Sequence, residues 1–361
     1  MTNRHPSILG RGAAGNPHNR FERLEYVQDD DTVPGSLSSS ETCAPESLFF
    51  KDPSRSIVAF NQSPDIGFDA SVNPYRGCEH GCIYCYARPT HEYLGFSLGL
   101  DFETRIMVKE GAHLLLRKTL SSPRWQPQVV ALSGVTDSYQ PAERRLAIAR
   151  RCLEVFLEFR NPVAVVTKSR LVVRDADLLA GLAQFDASAV FLSITTLDDR
   201  LSRLMEPRAS LPRRRLEAIR KLRQGGVPVG VLVAPVIPGL TDHELPSIIQ
   251  AAAEAGAGFA GYTTLRLPHG LSSLFEDWLV RHYPDAAHKV LNRLRAIRSG
   301  RLNDPRFHQR MRGEGPFAEQ IESLFTVACR SVGLLGNRPK LSTASFRQPG
   351  NSQLALFADR T

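Results

Sequence analysis

The sequence predicts an α/β fold, and three observations carry that reading. Between residues of about 65 and 267, short β-branched runs alternate with longer helical patterns, the arrangement of parallel strands joined by crossover helices. Several of those runs pass from apolar into hydroxyl-bearing and charged residues at their carboxyl ends, where ligands gather in parallel α/β folds. The chain of 361 residues is 42% hydrophobic and 23% charged, enough for a large core, yet no apolar run approaches the ~20 residues that span a bilayer.

Residues 1–50 are rich in Gly, Pro, Ser, Asn and Asp without apolar periodicity and read as a flexible N-terminal arm. Six strands are expected at 67–73, 128–133, 162–167, 189–195, 227–234 and 259–266. The helical patterns between them cover 141–159, 175–184, 211–225 and 241–255. Pro141 suits a first helical turn, while Gly225, Gly226 and Gly256 suit helix ends. The core thus runs over 51–268. A helical, basic C-terminal extension follows over 269–336, with helices at 274–283, 287–297 and 316–332, and a polar tail over 337–361. Periodicity leaves open whether the six units make an open sheet or a partial barrel.

The strand ends mark a common rim: Ser133-Gly134-Val135-Thr136-Asp137, Thr167-Lys168-Ser169 and Ser193-Ile194-Thr195-Thr196. Charge adds a second feature. The net charge is +8. Residues 289–312 hold Lys289, Arg293, Arg295, Arg298, Arg301, Arg306, Arg310 and Arg312 against the single acid Asp304. Such a run suits phosphate contacts on nucleic acid, or else a solvated helical face.

Three of the six cysteines fall together in Arg76-Gly77-Cys78-Glu79-His80-Gly81-Cys82-Ile83-Tyr84-Cys85-Tyr86, while Cys43, Cys152 and Cys329 are scattered. That is not a disulfide framework, and with Met1-Thr2-Asn3-Arg4-His5-Pro6 lacking the apolar core of a secretory signal, a reducing cytoplasm is expected. Thiolates are the usual ligands of iron-sulfur clusters, and glycines at 77 and 81 let the backbone curl around one. A tetrahedral zinc site needs a fourth ligand and would have to recruit His80, His91, Cys152 or Cys329.

The Cys-x3-Cys-x2-Cys spacing, with Tyr84 just before the third cysteine and the loop following the first strand, resembles the radical S-adenosylmethionine (SAM) superfamily. Asn73-Pro74-Tyr75-Arg76-Gly77-Cys78, the stretch from Val135 to Glu143, Thr167-Lys168-Ser169, Ser193 to Thr196 and Val233 to Leu240 look like its spore photoproduct lyase-like branch, often labelled DNA repair photolyases. The resemblance spans residues of about 55 to 340. It implies a partial (β/α)6 TIM-type barrel, a [4Fe-4S] cluster on Cys78, Cys82 and Cys85, SAM as second cofactor, and an electron donor such as flavodoxin or ferredoxin. In this family the reduced cluster cleaves SAM to methionine and a 5′-deoxyadenosyl radical that abstracts hydrogen from substrate.

Carried over by motif, Tyr84 would pack near the adenine, and the segment Gly134, Val135, Thr136 and Asp137 would receive the methionine amino group. Lys168 would pair with the carboxylate, Ser193 and Thr195 would face the ribose, and residues from Val236 to Gly239 the adenine edge. One departure bears on activity. Spore photoproduct lyase uses a further cysteine as hydrogen donor, and this chain has none between Cys85 and Cys152. Tyr84 and Tyr86 are the nearest candidates for a radical relay. The tail resembles a second kind of motif: Gln353-Leu354-Ala355-Leu356-Phe357 is similar to the peptide by which bacterial replication and repair proteins dock on the sliding clamp. The expected function is a radical SAM enzyme acting on nucleic acid. The alternatives are the same chemistry on a protein or small metabolite, and a non-catalytic zinc-bound interaction module.

Overall fold

A computed structural model of the chain describes residues 8–22 and 45–349. Its first half runs β1 (Leu48–Lys51), β2 (Val58–Phe60), β3 (Ala70–Val72), β4 (Tyr75–Arg76), α1 (Leu100–Thr104), β5 (Arg105–Val108), α2 (Ala112–Leu120), β6 (Val130–Leu132), α3 (Glu143–Leu146), α4 (Ile148–Phe159) and β7 (Val163–Thr167). There follow α5 (Ala176–Ala183), β8 (Ser188–Ser193), α6 (Asp199–Met205), α7 (Pro212–Gln224), β9 (Val229–Val236), α8 (Leu245–Glu254) and β10 (Ala260–Thr264). The C-terminal helices are α9 (Leu271–His282), α10 (Pro284–Ala296), α11 (Gln309–Arg312) and α12 (Pro316–Ser331).

All six expected strands form, and they pair in the spatial order β10-β9-β8-β7-β6-β3 with every neighbour parallel. Each link is long enough for a crossover, as parallel pairing requires. β2 adds an antiparallel edge beside β3, so the sheet stays open between β2 and β10. This is the mixed α/β sheet of a partial TIM-type barrel, not a closed one. A second, three-stranded sheet, β1-β5-β4, lies outside it.

The helices cover the sheet through one apolar stripe each. In α4, Ile148, Cys152, Val155, Phe156 and Phe159 are all buried, the spacing of a single helical face. They join Val163, Val165, Val190, Val231, Leu222 and Ile249 in the main core. One expected helix, 141–159, is broken in two at Ala147, whose φ is +49°. The buried Glu143 carboxylate explains the break: it accepts the amides of Ile148 (2.9 Å) and Ala149 (3.1 Å), capping α4 from outside its own axis, and pairs with Arg174 at 2.8 Å.

The expected arm of residues 1–50 is corrected where it is described. Residues 8–22 lie against the cysteine loop with Arg11, Ala13 and Asn19 buried, and Leu48–Lys51 pairs with β5. Residues 8–22 are held by polar contacts of irregular backbone, which leave no period in the sequence. The tail is likewise anchored as far as it is described: Ser342 donates its amide to Asp186, Arg347 to Phe159, and Phe346 packs on the Phe159 ring. The Gln353 to Phe357 peptide lies outside the described residues. Among those residues no helix is long and apolar enough to cross a membrane.

One ion pair joins the cysteine loop to the rest. Arg88 and Glu103 are both fully buried, 2.5 Å apart. Arg88 donates to the carbonyls of Cys82 (2.9 Å), Gly81 (3.1 Å), Leu98 (3.1 Å) and Gly99 (2.9 Å). Glu103 accepts the amides of Gly12 (3.0 Å) and Ala13 (2.8 Å). Gly12 is forced here, since a Cβ would sit 2.0 Å from the Gly81 carbonyl oxygen. Because removing one member leaves the other charge buried and alone, Arg88→Met is expected to cost about 3–5 kcal/mol in urea unfolding, and Glu103→Gln a similar amount.

Candidate active site

The cysteine loop leaves β4 and crosses the carboxyl ends of the strands. Gly77 and Gly81 take positive φ, +80° and +66°, so the chain can turn twice within five residues. The Cys78 amide is fixed on Phe102 and that of Ile83 on Met205. Cys78 and Cys82 are buried and Cys85 half-buried. Burial pushes all three thiols up; Asp137 and the other two thiols raise Cys78 further, and Glu206 and Cys85 raise Cys82. Three soft donors therefore sit within each other's field, and a cationic centre would favour their thiolate forms.

Among the described residues no three His, Cys, Asp or Glu gather tightly enough to hold a single metal ion. A four-iron cluster is wider than an ion and its thiols stand further apart than those of a chelate. With no fourth cysteine beside them among the described residues, the donor set fits a cluster held at three corners. Cys152 and Cys329 are buried on α4 and α12 within the main core, so neither supplies a further thiol to the loop.

Around the loop, the rim is organised by Asp137, which the sequence singled out, and by Asn73 and Glu206, to which sequence patterns gave no role. Asn73 receives three successive amides on its side-chain oxygen, from Gly134 (2.9 Å), Val135 (2.8 Å) and Thr136 (3.3 Å). The Thr136 hydroxyl donates to the Tyr75 carbonyl at 2.8 Å. Asp137 is saturated: it accepts the Thr167 hydroxyl (2.8 Å), the Lys168 amide (2.8 Å) and the Tyr139 amide (2.8 Å), and faces His80 Nδ1 at 3.3 Å. Burial opposes its charge, but His80 and those amides together hold its carboxyl below the usual range. Asp137 therefore ties β6, β7 and the cysteine loop together.

Lys168, Ser193, Thr195 and Tyr84, each expected to contact SAM, are brought into one network whose centre is Glu206. The Lys168 ammonium donates to Ser193 Oγ (2.6 Å) and the Ala234 carbonyl (2.9 Å), lies 3.6 Å from Glu206, and stands 5.6 Å over the Tyr84 ring. Glu206 also takes the hydroxyls of Tyr84 and Thr195 and is closed by Arg215, which is buried and donates to the Ser193 carbonyl as well. Burial raises the Glu206 carboxyl, but Arg215 and Lys168 outweigh it and bring it down to about 2. Glu206 follows α6 in Met205-Glu206-Pro207-Arg208, where no spacing marks it; only the fold carries it under Tyr84.

Three expected residues stand apart from this network. Tyr86 is half-exposed at the rim, its hydroxyl on the Gly134 carbonyl and Arg266 5.7 Å over its ring. The Val236 side chain is core, and Gly239, at φ +87°, lies against the stems of Lys289 and Arg293.

The family model described as Radical SAM superfamily matches residues 72–252, half of the chain and the whole of this site. The chain belongs to the radical SAM superfamily. Membership implies a [4Fe-4S] cluster and SAM as cofactors. An uncharacterized protein of Mycobacterium tuberculosis is 36% identical over 260 residues, covering 70% of this chain and 75% of its own length. An uncharacterized protein of Methanocaldococcus jannaschii is 27% identical over 222 residues, 62% of this chain and 79% of that one. Among solved structures, spore photoproduct lyase complexed with dinucleoside spore photoproduct has a similar fold, with TM-score 0.58 and 15% identity over 80% of each chain. A mutant of spore photoproduct lyase with bound AdoMet and dinucleoside spore photoproduct aligns at TM-score 0.57 and 15% identity, over 80% of this chain and 79% of that one.

Glu206 offers a direct test of the network. Its folded-state carboxyl at about 2 lies below the ordinary 4.5, so its charge stabilises the protein at neutral pH and that contribution fades as pH falls from about 5 toward 2. In cluster-free protein, the stability difference between wild type and Glu206→Gln, read from urea unfolding, is expected to be about 3 kcal/mol at pH 7 and to shrink across that window.

Proposed function

We propose that this protein reductively cleaves SAM and uses the resulting radical on nucleic acid. The observation that carries the radical reading is the set of three cysteines, each buried or half-buried, on a glycine-turned loop at the carboxyl ends of a parallel sheet, with no fourth cysteine beside them among the described residues. When bound there, the cluster and SAM supply a single electron and a 5′-deoxyadenosyl radical that takes hydrogen from substrate.

The chain's own residues have definable tasks. Cys78, Cys82 and Cys85 hold the cluster. Asn73 fixes the Gly134 to Thr136 backbone where the methionine end of SAM is to lie. Lys168 offers a point cation to its carboxylate, and Arg215 with Glu206 keeps that cation aimed inward. Tyr84, buried against Lys168, closes the site to water. Tyr86 is the better placed of the two tyrosines to pass a hydrogen atom, because it is the one at the rim. An oxygen-sensitive cluster and buried free thiols fit the reducing cytoplasm.

Support for nucleic acid as substrate is the fold shared with spore photoproduct lyase. The basic run over 289–312, expected to contact phosphates, is corrected in part. Arg293 pairs with Asp242 (3.0 Å), Arg306 with Asp304 (2.6 Å) and Arg310 with Asp65 (2.5 Å). Arg298 is buried on the Thr264 hydroxyl and the Leu265 carbonyl, and Arg312 lies 3.8 Å over the Tyr262 ring. Lys289, Arg295 and Arg301 are left without an ion pair among the described residues. This consumption of charge keeps a protein or small metabolite as the second reading.

Anaerobic reconstitution with iron and sulfide analysis is expected to give about four irons per chain, and dithionite with SAM to give 5′-deoxyadenosine in wild type and none in Cys82→Ala. Tightly bound zinc without cleavage would instead mark an interaction module. With substrate in hand, Tyr86→Phe is expected to keep 5′-deoxyadenosine formation and lower product by about tenfold or more, a barrier rise of about 1.4 kcal/mol. Ultraviolet-damaged DNA that gives no product and no acceleration would move the search to proteins and metabolites.

A further inference from the structure

Arg266 follows the carboxyl end of β10, at an edge of the open sheet. Its guanidinium stands 5.7 Å over the ring of Tyr86, whose hydroxyl rests on the Gly134 carbonyl, so Arg266 faces the rim beside the expected SAM site. The segment 307–312 packs against it through Met311. The Met311 carbonyl accepts the Thr264 hydroxyl (3.2 Å), while Arg310 reaches Asp65 (2.5 Å), in the connection between β2 and β3, and the Ser63 hydroxyl. That segment thus bridges the two edges that the open sheet leaves apart, and Arg266 lies on its inner side.

Other buried arginines of this chain meet strong acceptors. Arg88 and Arg215 each take a carboxylate and backbone carbonyls, and Arg298 takes the Thr264 hydroxyl with the carbonyls of Leu265 and Gln309. Arg266 has none of these. Among the described residues its sole hydrogen bond runs from Nη1 to the Met311 sulfur at 3.6 Å, a weak acceptor, and its Nε is buried without a partner. Asp65, the acid whose field reaches it, is spent on Arg310 and on the His308 amide at 2.6 Å. Burial and the nearby Arg310 hold the Arg266 guanidinium below its ordinary value. A half-buried cation among cations, with no carboxylate of its own, costs stability, and a cost kept at the rim of a reaction site points to a ligand.

We propose that Arg266 binds an oxyanion of the substrate, a backbone phosphodiester of nucleic acid, and so sets the reacting nucleotide against Tyr86. The inference rests on the nucleic-acid reading above and deepens it. The planar fork of a guanidinium suits a phosphate, which accepts two of its donors side by side. The methionine carboxylate of SAM has Lys168 assigned to it, and Lys168 stands over Tyr84 with its ammonium on Ser193. Arg266 stands over the other tyrosine, so its anion comes with the substrate. Phosphodiester and hydrogen-transfer group would then be fixed relative to each other by one stacked pair of side chains.

The test uses full-length, anaerobically reconstituted protein as wild type, Arg266→Gln and Arg266→Lys. Two probes are used: a fluorescein-labelled, ultraviolet-irradiated oligothymidylate, followed by anisotropy, and inorganic phosphate, followed by the thermal midpoint against chloride at equal ionic strength. Arg266→Gln is expected to weaken oligonucleotide binding by about tenfold or more, with Arg266→Lys in between. Phosphate is expected to raise the midpoint of wild type and not that of Arg266→Gln. Without either probe, Arg266→Gln is expected to be at least as stable as wild type, since it removes a charge that has no partner to lose. A lower midpoint in that state makes Arg266 a structural residue and overturns the inference. So does equal oligonucleotide binding by wild type and Arg266→Gln, and so does a loss that falls on the KM for SAM instead, which assigns the anion to SAM. A phosphate response that depends on Arg266, in a wild type that binds no oligonucleotide, overturns the nucleic-acid reading and leaves an oxyanion site for a smaller phosphorylated substrate.

Discussion

The buried pair of Arg88 and Glu103 is the constraint on which the cysteine loop depends. A loop that must hold three thiols around an inorganic core cannot pack its backbone into a helix or a sheet, so its carbonyls need other donors. Arg88 supplies them in a fork to four carbonyls, including those of Gly81 and Cys82. Glu103 balances its charge and takes two amides from the N-terminal segment. Such a pair is expensive to bury. What it provides is position: the loop, α1 and residues 11–13 are fixed to one another by groups that have no alternative partner in the core.

A similar logic governs the rim. Glu206, Arg215 and Lys168 form a second buried set of charges, with Tyr84 and Thr195 completing it. The carboxylate holds its charge because two cations outweigh its desolvation. The fixed carboxylate lies 3.6 Å from the Lys168 ammonium and helps hold that side chain on Ser193 and the Ala234 carbonyl. Asp137 is tied to three elements at once, and Asn73 fixes the backbone of Gly134 to Thr136 beside it.

Charge counting gave the wrong emphasis along the chain. The densest basic run, 289–312, is largely spent on Asp242, Asp304, Asp65 and the Leu265 carbonyl just after β10. Arg144 on α3 and Arg170 after β7, which have no ion pair among the described residues, line one cavity with Arg208 and Arg214, which are paired with Glu79 and Glu217. A local run of charge says how much cation is present. It does not say which acids the fold brings opposite.

The parallel α/β core was legible in the sequence, and so was the cysteine loop proposed to hold the cluster, for a physical reason. Strand and helix periods are local, and 128–133, 162–167 and 227–234 appear as strands close to where they were expected. Cysteine spacing in a tight loop is equally local. Lys168, Ser193 and Thr195 were legible because strand ends in a parallel sheet must share a rim. Tertiary structure alone decided the rest: the break at Ala147 under Glu143, the packing of residues 8–22, the roles of Asn73, Glu206 and Arg215, and the open sheet. Each depends on a polar group meeting a partner far away in sequence, and such a meeting leaves no period, run or spacing to be read beforehand.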